Sequence, residues 1–244
     1  MNRTLKRTGQ ALLDLLYPLR CPVCLGIPER GLLVCPECRR SLPYITTHRC
    51  PICGKSVENP GNRCADCAGM RHIFDSGTAA FLYDDRMRGL MAELKYRGVR
   101  SLGGQLGVLA FDACRDTVLS WGITALVPVP IHPSRRRSRG YNQAMEIARA
   151  VGDRMGLPVL QDAVRRREKT AAMKTLGREA RQKNLAEAFA AGTTPVSGEV
   201  ILIIDDIYTT GATMDAVSSV LRRGGAAGVH FFAVCIGAGF MVNY

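Results

Sequence analysis

Aromatic residues are scarce in this chain of 244 residues: Phe, Trp and Tyr make up 6% of it, and only one is Trp. This scarcity argues against an extended platform on which nucleic-acid bases stack. Long apolar runs are missing too, since none approaches the ~20 residues that cross a bilayer, so no transmembrane segment is predicted. Acidic residues are outnumbered, with 21 Asp and Glu against 33 Lys and Arg, and the net charge of +12 favours anionic partners.

The first 20 residues combine basic positions with a leucine cluster, as a signal peptide does, but no cleavage site of small residues follows them. We expect residues 1–20 to form a short amphipathic helix that packs on the protein, with attachment to a membrane surface or to a partner as the alternative. The composition of the chain, 47% hydrophobic and 22% charged, is that of a globular protein. We therefore expect a cytoplasmic protein, and the inner face of the membrane is the alternative location.

Cysteine, by contrast, is abundant: eight of the ten cysteines form four Cys-x-x-Cys pairs, and ten residues separate the first pair from the second and the third from the fourth. Two thiolates at this spacing lie on one tight turn, and two such turns complete a tetrahedral zinc site. The spacing predicts two sequential structural zinc sites, one formed by Cys21, Cys24, Cys35 and Cys38, the other by Cys50, Cys53, Cys64 and Cys67. It also allows a cross-braced pairing, in which the first pair shares an ion with the third. Disulfides are disfavoured because they need an oxidising compartment.

Residues 201–213 carry the most specific motif: four apolar residues, the carboxylates Asp205 and Asp206, and a loop of threonine and glycine. The apolar run is typical of a buried parallel strand, and ligands bind where such strands end. The loop of residues 209–213, called the phosphate loop below, is expected to bind a phosphate through backbone N–H groups, hydroxyls and the start of a helix. It consists of Thr209, Thr210, Gly211, Ala212 and Thr213. Asp205 and Asp206 are expected to accept hydrogen bonds from sugar hydroxyls or to hold Mg²⁺ through water.

Positive charge is concentrated between residues 131 and 183, which hold 14 Lys and Arg against five Asp and Glu, a net charge of +9. Arg135, Arg137 and Arg139 lie in a predicted loop after a strand, where guanidinium groups suit the oxygens of a pyrophosphate. A second basic loop over residues 165–170 includes Lys169 and is expected to close over the ligand as a lid. Nucleic acid is the alternative partner for the same charge.

Strand and helix patterns alternate in the rest of the chain. Strands are predicted at residues 77–83, 125–130, 157–160, 200–204 and 229–236, and helices at 84–97, 101–118, 142–155 and 213–223. This alternation predicts an α/β fold with a parallel sheet flanked by helices. The predicted organisation is an N-terminal helix at 1–20, a double zinc ribbon at 21–72 and a ligand-binding α/β domain at 73–244.

Taken together, these motifs resemble the ComF family of competence proteins over nearly the whole chain. The resemblance rests on the zinc knuckles and on four motifs: Lys95-Tyr96-x-Gly98, Pro128-Val-Pro-x-His132-Pro, the arginine-rich residues 135–143 and residues 205–213. It implies a type I phosphoribosyltransferase-like sheet preceded by a double zinc ribbon. The implied ligand is phosphoribosyl pyrophosphate (PRPP) or a related phosphorylated ribose, bound with Mg²⁺. One position departs from the family pattern, because Met173 stands in the lid where the family usually carries Gln.

The resemblance implies a phosphoribosyltransferase with an unidentified acceptor, acting in DNA uptake during natural transformation. Asp205 and Asp206 are then the catalytic residues that orient the ribose, and a DNA-uptake helicase or processing protein is an expected partner. His132 is a candidate general base by its position alone, and a role in orienting its own loop is favoured.

The alternative hypothesis is a non-catalytic protein that binds single-stranded DNA and reuses the phosphate site. In that case Tyr96, Tyr141 and Tyr208 are candidates for stacking on the bases. The opposing interpretation is that these tyrosines pack in the core, and the low aromatic content favours it.

Overall fold

The computed structural model of the protein describes residues 19–96, 100–167 and 187–237. The chain forms two compact units, Met1–Leu42 and Pro43–Tyr244. The division after Leu42 falls between the two predicted zinc sites. The limits after residues 20 and 72 stay predictions, and the helix predicted at residues 1–20 lies almost entirely outside the described residues. None of the helices in the described ranges combines the length and the apolar character that crossing a bilayer requires.

The smaller unit holds a tight turn at Cys21 and a short helix after Cys35. Two backbone hydrogen bonds close the turn, from Leu25 N–H to Cys21 O (2.9 Å) and from Cys21 N–H to Gly26 O (2.8 Å). Helix α1 (Pro36–Arg40) starts with a proline, whose missing N–H is no loss in a first turn. Turn and helix each contribute one Cys-x-x-Cys pair to the first predicted zinc site.

The larger unit contains a second ribbon and a parallel sheet with its helices. The ribbon consists of the antiparallel strands β1 (His48–Arg49) and β2 (Ser56–Val57) and helix α2 (Ala65–Gly69). The elements that follow are β3 (Ser76–Leu82), α3 (Asp85–Tyr96), α4 (Arg100–Leu119), β4 (Ala125–Pro128), α5 (Pro133–Arg139), α6 (Gln143–Met155), β5 (Val164–Arg166), β6 (Phe189–Ala191), β7 (Val200–Tyr208), α7 (Ala212–Arg223) and β8 (Gly228–Ile236). This alternation confirms the predicted α/β class.

The main sheet has the strand order β3-β8-β7-β4, and all its pairs are parallel. Four consecutive residues of β7, Ile201 to Ile204, are fully buried. Because neighbours along a strand point to opposite faces, both faces of β7 must be covered. The strand predicted at residues 157–160 is reduced to one bridge between Val159 and Leu126. The antiparallel pair of β5 and β6 was not predicted, because strands of three residues carry too little periodicity.

The second group of cysteines belongs to the core of this sheet. Alternate residues of β7 and β8 and the apolar side of α7 form one cluster of buried side chains. The same cluster includes Cys50, Cys53, Cys64 and Cys67. The second ribbon is therefore part of the sheet's own core rather than a separate module.

The bounds of β7 correct one prediction. The sequence predicts a strand that ends at residue 204, whereas β7 continues to Tyr208. These residues stay in the ladder because β8 runs beside them, with Asp205 opposite Ala233 and Tyr208 opposite Ile236. On the other side, β4 pairs with β7 only as far as Ile204. The last four residues of β7 thus have a single strand neighbour within the described ranges.

Candidate functional site

Asp205 and Asp206 lie on the part of β7 that extends past β4. Both residues are half-buried, and the N–H of Asp206 donates to Oδ1 of Asp205 at 2.8 Å. The chain leaves β4 through Val129, whose N–H donates to Ile204 O at 2.9 Å. The segment between β4 and α5 therefore starts at the same end of the sheet as the two carboxylates, which is where open α/β sheets bind ligands.

The phosphate loop follows β7 directly and leads into α7. Thr209 and Thr210 are exposed, and Gly211 stands immediately before the helix with φ +86°. Along the phosphate loop and the start of α7, the backbone N–H of Asp215 is the first that donates a hydrogen bond within the described part of the chain. Its acceptor is Gly211 O, at 2.8 Å. The N–H groups before it lie at the positive end of the helix dipole and suit an anion.

Two ring side chains lie directly beneath Gly211. A methyl group built on Gly211 would be 2.8 Å from Cε1 of His72 and 2.8 Å from the hydroxyl oxygen of Tyr208, so only glycine fits. His72 also contacts the first turn of α7, with Nδ1 2.8 Å from Oδ2 of Asp215. Sequence reasoning missed His72, because the pair is separated by 143 residues and no motif marks it.

The predicted arginine-rich loop is a short helix in the structure. Arg135, Arg137 and Arg139 all belong to α5, which starts at Pro133; proline at the first helical position favours this start. Arg137 is exposed. The side chains of Arg135 and Arg139 lie outside the described part of the structure, as does the stretch 168–186, which includes Lys169. The lid predicted as a loop at residues 165–170 is wrong at its start, because Arg165 and Arg166 belong to β5 and pair with β6.

His132 precedes α5 and is engaged with it. Its Nδ1 accepts a hydrogen bond from the N–H of Ser134 (3.2 Å) and lies 2.7 Å from the hydroxyl oxygen of the same residue. These contacts satisfy donors at the start of the helix. They agree with the favoured role of His132 in orienting its own segment.

A cavity of about 430 Å³ lies beside the end of β4. Asn142 donates through Nδ2 to Val129 O at 3.0 Å, while its Oδ1 is buried and has no partner among the described residues. Glu146 and Arg149, which also line this cavity, form an ion pair at 3.3 Å. The cavity thus presents donors and acceptors to a polar ligand.

The eight predicted zinc ligands form two groups, and the grouping is sequential. Within each group the sulfur atoms all lie within 4.8 Å of one another. The Sγ atoms of Cys24 and Cys35 are 3.8 Å apart, and those of Cys53 and Cys64 are 3.5 Å apart. Sulfurs around a tetrahedral zinc with bonds of about 2.3 Å are separated by roughly 3.8 Å. The geometry fits two zinc ions and rules out the cross-braced pairing.

The protonation of these thiols also suits a divalent cation. Burial acts to raise the pKa of Cys50, but hydrogen bonds from the backbone N–H groups of Cys53 and Cys64 outweigh it and lower the pKa to about 7. In the same group, burial and the charges of neighbouring thiolates raise the pKa of Cys67 to about 12. A bound dication favours the thiolate form of every sulfur in the group.

Comparisons with known proteins identify both parts of the chain. Residues 12–68 match the double zinc ribbon domain, and residues 137–239 match the phosphoribosyl transferase domain. The chain is 30% identical over 213 residues to competence protein ComFC of Bacillus subtilis, an alignment that covers 82% of this chain and 83% of the relative. The chain belongs to the ComF family. It is also 27% identical over 218 residues to competence protein F of Haemophilus influenzae, covering 85% of this chain and 92% of the relative.

One solved structure aligned with this ComF family chain is the glutamine PRPP amidotransferase of B. subtilis complexed with ADP and GMP. The identity is 16%, the TM-score is 0.35, and the alignment covers 56% of this chain and 26% of that chain. A TM-score of this size is too low to support an inference about this chain. The phosphoribosyltransferase-like fold rests on the domain match and on the parallel sheet itself, and the structural zinc sites rest on the ribbon match and the two cysteine groups.

Two of the three tyrosines proposed to stack on DNA bases are buried in this ComF family protein. Tyr141 is 6% exposed and Tyr208 is 2% exposed. The ring of Tyr208 is stacked on Phe231 at 4.5 Å, and burial raises its pKa. The side chain of Tyr96 lies outside the described part of the structure. Neither of the two described tyrosines offers a face to a base.

Proposed function

We propose that this ComF family protein binds Mg²⁺ and PRPP, or a related phosphorylated ribose, at the carboxyl end of β7. The observation that carries the proposal is the extension of β7 past β4. In that extension Asp205 and Asp206 have β8 as their strand neighbour, and they precede the phosphate loop by two residues. Gly211 of this loop stands directly before α7. Carboxylates for a sugar and a helix start for a phosphate then occur on one continuous stretch of chain.

Each group of the ligand has a proposed partner. The phosphate loop takes the 5-phosphate through its N–H groups and threonine hydroxyls, and Asp205 and Asp206 accept hydrogen bonds from the ribose hydroxyls. Pyrophosphate is held by basic side chains of α5 and the lid: Arg135, Arg137, Arg139 and Lys169. When Mg²⁺ is bound, it neutralises charge on the pyrophosphate oxygens, and carboxylates suit it as hard oxygen donors.

The reaction that follows is the transfer of the phosphoribosyl group to an acceptor. A bond forms between the acceptor's nucleophile and C1 of the ribose as the bond from C1 to pyrophosphate oxygen breaks, and pyrophosphate leaves. The chain contributes by positioning the ligand and neutralising its charge. The polar cavity beside β4 is a suitable place for the acceptor. The names of the relatives, competence protein F and competence protein ComFC, support a role in DNA uptake.

The test is a calorimetric titration of the zinc-loaded protein with PRPP and Mg²⁺. The double variant Asp205→Asn with Asp206→Asn replaces one acceptor oxygen of each carboxylate with an NH₂ group. Two hydrogen-bond acceptors for the ligand are lost in this way, together with two negative charges. The expected loss of affinity is at least about 100-fold, since each such bond is worth about 1.5–3 kcal/mol.

The matched control is the other Asp-Asp pair, Asp84 and Asp85. Asp84 accepts the N–H of Met87 at 2.8 Å and so caps α3. Changing both residues to Asn keeps the cap, because Asn caps helices as well as Asp does, and should leave both the fold and the PRPP affinity unchanged. Unaltered affinity in the Asp205 and Asp206 variant would refute the proposal. Binding of a single-stranded oligonucleotide without any PRPP binding would favour the nucleic-acid alternative.

A further inference from the structure

Both carboxylate oxygens of Asp215, in the first turn of α7, are held by residues that follow the second ribbon. His72 Nδ1 lies 2.8 Å from Oδ2, and the backbone N–H of Ile73 donates to Oδ1 at 2.7 Å. Because a carboxylate only accepts, Nδ1 of His72 carries the proton in this pair. The start of α7 is thus anchored by a segment that begins five residues after Cys67, the last cysteine of the second group.

The His72 ring is buried and stacked in this position. Its side chain is only 1% exposed, and the ring is stacked on Phe74 with centroids 4.5 Å apart. Phe74 belongs to the same buried cluster as the second group of cysteines. The ring therefore connects the core that contains the ribbon with the start of α7.

The same ring limits where the phosphate loop can lie. Gly211 approaches it so closely that a Cβ atom would come within 2.8 Å of Cε1. Asp215 closes the loop from the other side, because its N–H donates to Gly211 O at 2.8 Å. His72 thus occupies the space that a side chain at Gly211 would need, and it reaches the loop a second time through Asp215.

We propose that His72 is a positioning residue for the phosphate loop, and that it makes the second ribbon a support of the ligand site. The ring is not placed to contact the ligand; it fixes Gly211 and Asp215 so that the loop N–H groups are organised before an anion arrives. Its effect on ligand affinity rests on the proposed function, whereas its effect on the order of the loop does not.

The test compares His72→Asn with His72→Leu. Both side chains are smaller than histidine and similar to each other in shape, so both lose ring packing, but only Asn keeps an N–H near the position of Nδ1. Amide hydrogen exchange of residues 209–215 in the ligand-free protein is expected to be about tenfold faster in the Leu variant than in the Asn variant. The dissociation constant for PRPP with Mg²⁺ should rise by a similar factor between the two. His48→Leu, an exposed histidine on β1 of the same ribbon, should change neither quantity.

Equal exchange rates in the Asn and Leu variants would overturn the proposal and reduce His72 to a packing residue. If the wild-type protein binds no PRPP, the proposed function fails, and the exchange rates still decide the role of His72. If the Leu variant does not fold, Asp215→Ala removes the acceptor of the same hydrogen bond from the other side. Unchanged exchange of the loop in that variant would equally contradict the proposal.

Discussion

The two cysteine ribbons of this protein are built from the same local turn. In each, the N–H of the residue after the second cysteine donates to the carbonyl of the first at 2.9 Å, Leu25 to Cys21 and Gly54 to Cys50. In each, a helix of five residues starts after the third cysteine. Spacing and backbone hydrogen bonds thus repeat, as the repeated Cys-x-x-Cys pattern suggests.

Their surroundings differ. In the first ribbon Cys24 is exposed and only Cys21 is fully buried. In the second, all four cysteines are buried and pack with the sheet and α7. The second ribbon also leads into His72 and so to the phosphate loop. A metal-binding motif therefore acquires its role from what packs around it, and the comparison can be tested at three matched positions.

The largest difference is expected on removal of the metal ligands. Cys53→Ser with Cys67→Ser should abolish the cooperative unfolding transition of the larger unit, because the free energy of structural zinc binding, about 10–16 kcal/mol, exceeds or matches the stability of a typical domain. Cys24→Ser with Cys38→Ser should remove one zinc and shift that transition by no more than about 3 °C. Calorimetry with elemental analysis of zinc checks both; equal losses would contradict the difference between the ribbons.

A smaller difference is expected at the residue after the second cysteine. Gly54 has φ +77°, and a Cβ atom there would lie 2.8 Å from Thr78 Cα and 2.9 Å from Gly77 O. Since these are backbone atoms of β3, Gly54→Ala should lower the free energy of unfolding by about 3 kcal/mol. Leu25, its counterpart, adopts φ 61°, so Leu25→Gly should relieve about 1 kcal/mol of strain. Urea unfolding tests the first variant and zinc release to a chelator the second. A fully stable Gly54→Ala protein would show that the second ribbon is not seated on β3.

The smallest difference is expected at the second residue of each ribbon helix. Asp66 is paired with Lys55, whose side chain is 5% exposed, whereas Glu37 is paired with Arg40 and both side chains are more than 70% exposed. Asp66→Asn leaves a buried ammonium without its counter-charge and should lower the free energy of unfolding by about 2 kcal/mol. Glu37→Gln should have no measurable effect, since exposed pairs contribute little and are screened by salt. Matched urea titrations of the two variants measure the difference, and equal effects would argue against it.

Much of the fold was predictable because its signals are local. Strands β3, β4, β7 and β8 and helices α6 and α7 appear within a few residues of their predicted ends, since apolar periodicity reflects which side of an element is buried. The arginine-rich segment before Tyr141 was expected to be a loop and is the helix α5. Seven residues with six charged or polar side chains in a row give no apolar period, so the start at Pro133 was its only helical signal.

The ligands of two zinc sites, the class of the sheet and the order of carboxylates and phosphate loop could be predicted from the sequence, because each depends on spacing along a few residues. Long-range packing places one ribbon in the core of the sheet and the other in a separate unit. It also sets the extension of β7 four residues past β4 and the contact of His72 with Asp215 across 143 positions. Those features depend on which distant segments pack together, and the spacing of neighbouring residues does not reveal that packing.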